Sequence, residues 1–194
     1  MNTTKFLSVF ALSLVVSACA PSLGLRMEAP DVVNEDAEKN PVVANAAAGS
    51  KARIGPFLDG RSSDTIAMID GRQVRTEGSV GTAVQTGFER QLREAGVRVV
   101  LLQAPTIEGE VVDWKARVTP DFPASKVVAN AKVKVTIKGP KSEVLYRATY
   151  SGEANKTHPV LGESDIQATL GTAMATALEA AVKDDGFMQQ LVVR

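Results

Sequence analysis

The chain holds one cysteine, Cys19, and one histidine, His158, in 194 residues. So few soft or imidazole ligands exclude a thiolate or multi-histidine zinc site, and an intrachain disulfide has no second sulfur. Aromatic residues make up only 5% of the chain, which argues against a base-stacking platform or a sugar-holding groove. Neither sign of charge is in excess: 22 Lys plus Arg balance 22 Asp plus Glu. No global field therefore steers nucleic acid or an acidic ligand to the protein. The stretch from Phe6 to Val16 is too short to span a bilayer as a helix, which takes about 20 residues. No Gly-x-Ser-x-Gly, P-loop or dinucleotide fingerprint occurs, and no cofactor is expected.

What is present begins at the amino terminus. Lys5 supplies a positive charge, Phe6 to Val16 an apolar run, and Ser17-Ala18 the small residues a signal peptidase needs. Val16-Ser17-Ala18-Cys19 also has the form of a bacterial lipobox, in which the thiolate is the group that takes the lipid. Residues 1–18 are read as a lipoprotein signal peptide. Cys19 then becomes the new amino terminus, carrying a diacylglyceryl thioether and an acyl chain such as palmitate. Each buried methylene contributes about 0.8 kcal/mol, so two or three chains hold a protein on a membrane almost permanently. Ala20 stands where an aspartate would argue for inner-membrane retention. The expected address is the outer membrane, with the domain facing the periplasm.

Residues 19–50 read as a lipidated flexible tether, because "APDVVNEDAEKNPVVANAAAGS" has no sustained helical or strand period. A coil of roughly thirty residues spans about 30 Å on average. Residues 51–194 read as a single α+β domain. "KARIGPFLD" predicts a first strand, with Ile54 and Phe57 as core contacts, and "TIAMI" a short one between the Asp-Gly turns of "DGRSSD" and "IDGRQ". "SVGTAVQTGFERQLREAG" is a helix with Ser79 as N-cap and Gly96 as its stop. Gly81 and Gly87 inside it predict close packing against another backbone.

"VRVVLLQAP" reads as a buried strand. "IEGEVVDWKARV" alternates, with Val112, Trp114, Ala116 and Val118 on one face. "KVVANAKVKVTIKG" and "EVLYRATYSGEA" follow as antiparallel strands with one face buried and one wet. Ser164 and Gln167 suggest a capping box for a last long helix, and "FMQQLVV" adds a short helical turn or docking tail. The expected architecture is a two-layer α+β sandwich, a mainly antiparallel sheet with two amphipathic helices packed on one face.

The lipobox, the helix "FERQLREAGVRVV", the hairpin "VVANAKVKVTIKGPKSEVLYRATYSGEAN" and the closing helix "DIQATLGTAMATALEAAVKDDGFMQQL" together resemble the YajG-type lipoproteins of Gram-negative bacteria. The resemblance runs from about Ala52 to Leu191, without a signature motif. It implies a layout similar to the small lipoproteins that assist lipopolysaccharide assembly and lipid transport, and it carries no catalytic residues. Asp59 to Gly78 is longer and more turn-rich than the resemblance implies.

The remaining residues point away from enzymatic chemistry. His158 precedes a proline in a loop-like stretch, and the acid groups Glu108/Glu110/Asp113, Glu163/Asp165 and Asp184/Asp185 lack the aromatics a glycosidase site uses. Trp114 is expected in the core, the alternative being a contact for a partner or a lipid groove. Lys132 and Lys134, with Lys126, Lys138 and Lys141, are either a solvated strand face or contacts for anionic glycolipid or peptidoglycan. The expectation is a non-enzymatic accessory or assembly factor, held to the membrane through Cys19 and binding another envelope protein. The alternative is a lipid-, glycolipid- or peptidoglycan-binding module. No nucleic-acid partner is expected.

Overall fold

In the computed structural model, which describes residues 25–33, 49–69 and 71–192, the longest alternating runs of the sequence become the longest strands. β6 (Thr106–Thr119), β7 (Ser125–Lys138) and β8 (Val144–His158) pair antiparallel in sequence order. Val127, Ala129, Ala131, Val133, Val135 and Ile137 of β7 are all buried, as a period of two with one covered face demands. The cover is α2 (Glu163–Val182), which lies over β6, β7 and β8, while α1 (Val80–Glu94) lies over β6 and β2 (Lys51–Asp59). A short α3 (Asp185–Gln189) buries Phe187 beside Phe88 of α1, ring centroids 6.0 Å apart. Ser79 caps α1 by accepting from the Thr82 amide, and Gly96 follows with φ +83°, both as the sequence implies.

The fold is α+β with one mixed sheet of eight strands and three helices among the described residues. The expectation of a mainly antiparallel sheet is corrected at the edge of β6 away from β7. There β2 runs parallel to Thr106–Val111, and β3 (Thr65–Ile69) runs parallel at Ala116–Arg117. Parallel neighbours need long connections, and the stretch holding α1 supplies the one from β2 back to β6. β3 turns antiparallel into β4 (Arg72–Glu77), a strand with no clear sequence signal. β5 is only Arg98–Val99, pairing with the start of β2.

Four local expectations change. The apolar run after Gly96 is not a buried strand: Leu101 and Leu102 are 86% and 74% exposed. The alternation of β6 breaks at a bulge between Val111 and Asp113, so Val111 is buried and Val112 is exposed. An extra residue in one strand reverses which side later side chains face. α2 starts at Glu163, and Asp165, rather than Gln167, reaches back to the Gly162 amide at 2.8 Å.

The fourth change concerns the tether. Residues 25–33 are part of the domain: β1 (Leu25–Glu28) pairs parallel with β4, and Met27 and Val32 are buried. Val32 lies over α1 at Gly87, and the Asp31 carbonyl lies over α2 at Gly171. The Arg90 guanidinium donates to the Val32 carbonyl. Absent side chains on the two helices leave a groove that an apolar strap fills. The signal peptide, Cys19 and residues 34–48 lie outside the described residues.

The register defines two ends. Leu25 enters at the end carrying the β3–β4 turn, the β6–β7 loop (120–124) and the β8–α2 loop (159–162), called here the entry end. The opposite, hairpin end carries the β7–β8 turn (139–143), the loop 100–105 and residues 190–192. β6 and β7, 14 residues each, separate the two ends by about 45 Å.

Candidate functional site

Trp114 is fully buried, and its Nε1 donates to the Leu170 carbonyl of α2 at 2.9 Å. An indole enclosed between sheet and helix touches no partner, so the alternative reading as a contact residue is set aside. Lys132 is exposed and Lys134 half-exposed, on the face of β7 turned away from α2. Lys134 pairs with Glu110, and Lys138 with Glu108 at 2.6 Å. Lys132 lies opposite Asp113, whose carboxylate is 3.0 Å from Lys115. This face is a ladder of both signs, with its lysine charge offset by β6. His158 closes β8 with Nδ1 3.3 Å from Asp165. Among the described residues no three His, Cys, Asp or Glu side chains converge as metal ligands.

A second feature is an open cleft of about 550 Å³ that runs from Arg61 and β3 across β6 to Val128 and Asn130 of β7. Arg61 fills its floor, with the side chain 5% exposed. Its guanidinium donates to both Asp59 oxygens at 2.8 and 2.9 Å, to Thr76 Oγ1 at 3.0 Å and to the Trp114 carbonyl at 3.5 Å. Where β6 has no strand neighbour, a side chain takes over the ladder's work. The bidentate fork holds Asp59 below the usual carboxylate range, against a smaller opposing effect of burial. The guanidinium is committed to the fold. Asp113, Lys115 and Arg117 line the cleft beside Val112 and Met68.

A third cluster ties β8 to α3. The Tyr146 and Tyr150 hydroxyls donate to Asp184 Oδ2 at 2.6 and 2.8 Å, while Oδ1 accepts from the Gly186 and Phe187 amides. The Tyr146 hydrogen bond is the largest of the influences that lower the Asp184 pKa. Tyr150 is raised, first by burial and then by its hydroxyl and carboxylate neighbours. Asp184 thereby caps α3 and joins it to β8. Asp184→Ala is expected to lose about 1–2 kcal/mol near pH 7. A carboxylate depressed by folding stabilises above its unfolded value, and that contribution fades as pH falls through the folded one. Denaturant midpoints should therefore differ most at neutral pH and converge below about pH 4.

The hairpin end carries apolar side chains that nothing among the described residues covers. Leu101 and Leu102 project from the loop 100–105, and Val144 and Leu145, at 50% and 39% exposure, open β8. The same end holds an open cleft of about 500 Å³ lined by Gln103, Ala104, Pro105, Pro140, Leu145 and Gln189. No local sequence signal points to it. "VVLL" looks alike as a core strand or a bare loop. By contrast, the space between helices and sheet is filled by Trp114, Phe88, Leu170, Met174 and Leu178, all without exposure.

Comparison with known proteins gives one family match: the model of a family described as uncharacterised lipoproteins, Lipoprotein_16, covers residues 57–191. No curated protein matches the sequence. Protein XCC0632 from Xanthomonas campestris, of family DUF330, superimposes with a TM-score of 0.56 at 10% identity, over 86% of this chain and 97% of that one. The minor lipoprotein from Acinetobacter baumannii gives 0.43 at 10% identity, over 72% and 94%. Rare lipoprotein B from Shewanella oneidensis gives 0.34 at 10% identity, over 67% and 89%. Of these three, only the first is close enough to show a shared fold.

Proposed function

We propose a role for a chain that belongs to the YajG-type family of uncharacterised bacterial lipoproteins: a non-enzymatic accessory or assembly factor that binds another envelope protein. It is held on the outer membrane by lipid on Cys19, with its domain in the periplasm. The observation that carries the reading is the set of bare apolar side chains at the hairpin end, Leu101, Leu102, Val144 and Leu145, the last of which lines the open cleft there. Exposed apolar side chains gathered at one end of a domain with an otherwise charged surface mark interaction surfaces. An open cleft favours a protein partner. A lipid carrier would instead enclose an apolar slot, and the packed helix–sheet interior supports no such slot.

The test is crosslinking mass spectrometry on the native lipidated protein in intact cells, with Cys19→Ser and Leu101→Asp/Leu102→Asp variants. One or two envelope proteins should crosslink. They should be depleted in Cys19→Ser and lost in the double aspartate variant, whose melting temperature stays unchanged because both side chains are exposed. Lipid or glycan adducts that persist in Cys19→Ser, with no protein partner, would replace this reading with a ligand-binding module.

A further inference from the structure

The docking of residues 25–33 shortens the leash from roughly thirty residues to the five from Ala20 to Gly24. Fully extended, the six steps from Cys19 to Leu25 reach about 20 Å at most. Leu25 lies opposite Val74, Val74 opposite Ala67, and Ala67 opposite Ala116. It therefore starts about 10 Å below Thr119, the last residue of β6. A lipid on Cys19 can lie no more than about 10 Å beyond the entry end. A membrane holding that lipid lies within close reach of this end.

The same end carries two bare apolar side chains. Phe122, in the β6–β7 loop, is 96% exposed, and Val160, in the β8–α2 loop, is 86% exposed. They lie on adjacent loops, since Ser125 pairs with His158 where β7 and β8 meet them. Exposed charges around them are mixed, with Arg72 and Lys126 set against Asp121 and Glu163. The contact this end offers is therefore apolar before it is electrostatic.

We infer that the occupant of this surface is the lipid bilayer itself: Phe122 and Val160 enter the interface beside the lipidated cysteine and fix the domain upright. Two loop side chains would not hold a free protein on a membrane. Tethering raises their effective concentration to the millimolar range, where weak contacts suffice. The loops then need to dip only about 5–10 Å into the headgroup boundary. β6 and β7 stand along the membrane normal, and Leu101 and Leu102 are presented about 45 Å away. This inference rests on the anchoring at Cys19 proposed above.

The test uses the full lipidated protein in phosphatidylethanolamine–phosphatidylglycerol vesicles containing a lipid brominated near the headgroup. Trp114 is enclosed and gives a constant background. Phe122→Trp should show a roughly twofold loss of its added emission and a blue shift, whereas Leu101→Trp at the hairpin end should show neither. Co-flotation with vesicles, with the intact mass, reads the anchor independently. Protein that floats while Phe122→Trp is quenched no more than Leu101→Trp overturns the inference alone. Protein that lacks the lipid mass and does not float overturns the anchoring, and this inference with it.

Discussion

Trp114→Ala is expected to lower the melting temperature by about 10–15 °C. Truncating a buried Trp or Phe costs about 3–5 kcal/mol through lost transfer energy and the cavity left behind, and each kcal/mol is worth about 2–4 °C at this chain length. Trp114 qualifies for the upper range. Its ring is wholly enclosed between β6 and α2, and Ala131 and Ala173, both buried, are too small to refill the space. Trp114→Phe should lie between wild type and alanine, keeping most of the volume but losing the hydrogen bond to the Leu170 carbonyl. Calorimetry or thermal circular dichroism reads the series, with exposed Phe122→Ala as the control that should not move. A shift below about 3 °C for Trp114→Ala would mean that the helix–sheet interface is not packed as described.

Gly171→Val should have a different signature, local release rather than global loss. A Cβ at this position would sit 2.2 Å from the Asp31 carbonyl, and one at Gly87 2.4 Å from the Val32 Cβ. Neither glycine has positive φ, so the steric conflict is with the strap and not with the helix backbone. Undocking residues 25–33 exposes Met27 and Val32, side chains worth about 2–3 kcal/mol each when fully buried. Exchange of the Ala29 amide, bonded to the Glu77 carbonyl at 2.9 Å, should accelerate by roughly a hundredfold while β7 amides stay protected. Uniform acceleration across the domain would show that the strap and the core unfold together. Gly152→Ala offers the contrast: its Cβ would meet the Ala173 carbonyl at 2.1 Å, between sheet and α2, and should destabilise the whole fold. Strap release should also return the leash to the length the sequence suggests, and with it weaken the quenching of Phe122→Trp on vesicles.

These two positions show where the sequence was readable. The alternation of β7, the stripe of α1, Ser79 and Gly96 all express local rules, in which one residue type suits one backbone site. Gly81 and Gly87 could be read as close approaches, but not to what. The long apolar face of α2 was clear, though Asp165 displaced Gln167 as the capping partner. Such two-residue shifts lie beyond what composition resolves. The bulge at Val112 was not legible, because it arises where the neighbour of β6 changes from β2 to β3. That is a property of the sheet.

The candidate surfaces divide in the same way. Cys19 announces itself through its local motif. Trp114, the most conspicuous side chain, is consumed by the core, and Lys134 and Lys138 are offset by carboxylates that only strand register brings opposite. Leu101, Leu102, Phe122 and Val160 gave no signal, since an apolar residue looks alike whether its loop is later covered or left bare.

The sequence by itself determined the two long helices, the long alternating strands, the α+β class, the lipobox and the shortage of thiolate and imidazole ligands, because each follows from local periodicity, spacing or residue counts. Only the tertiary structure decided that residues 25–33, which the sequence places in a tether, fold onto the domain. Their few apolar side chains are too sparse to signal burial alone. They are buried because two helices, more than fifty residues away, leave a groove at Gly87 and Gly171.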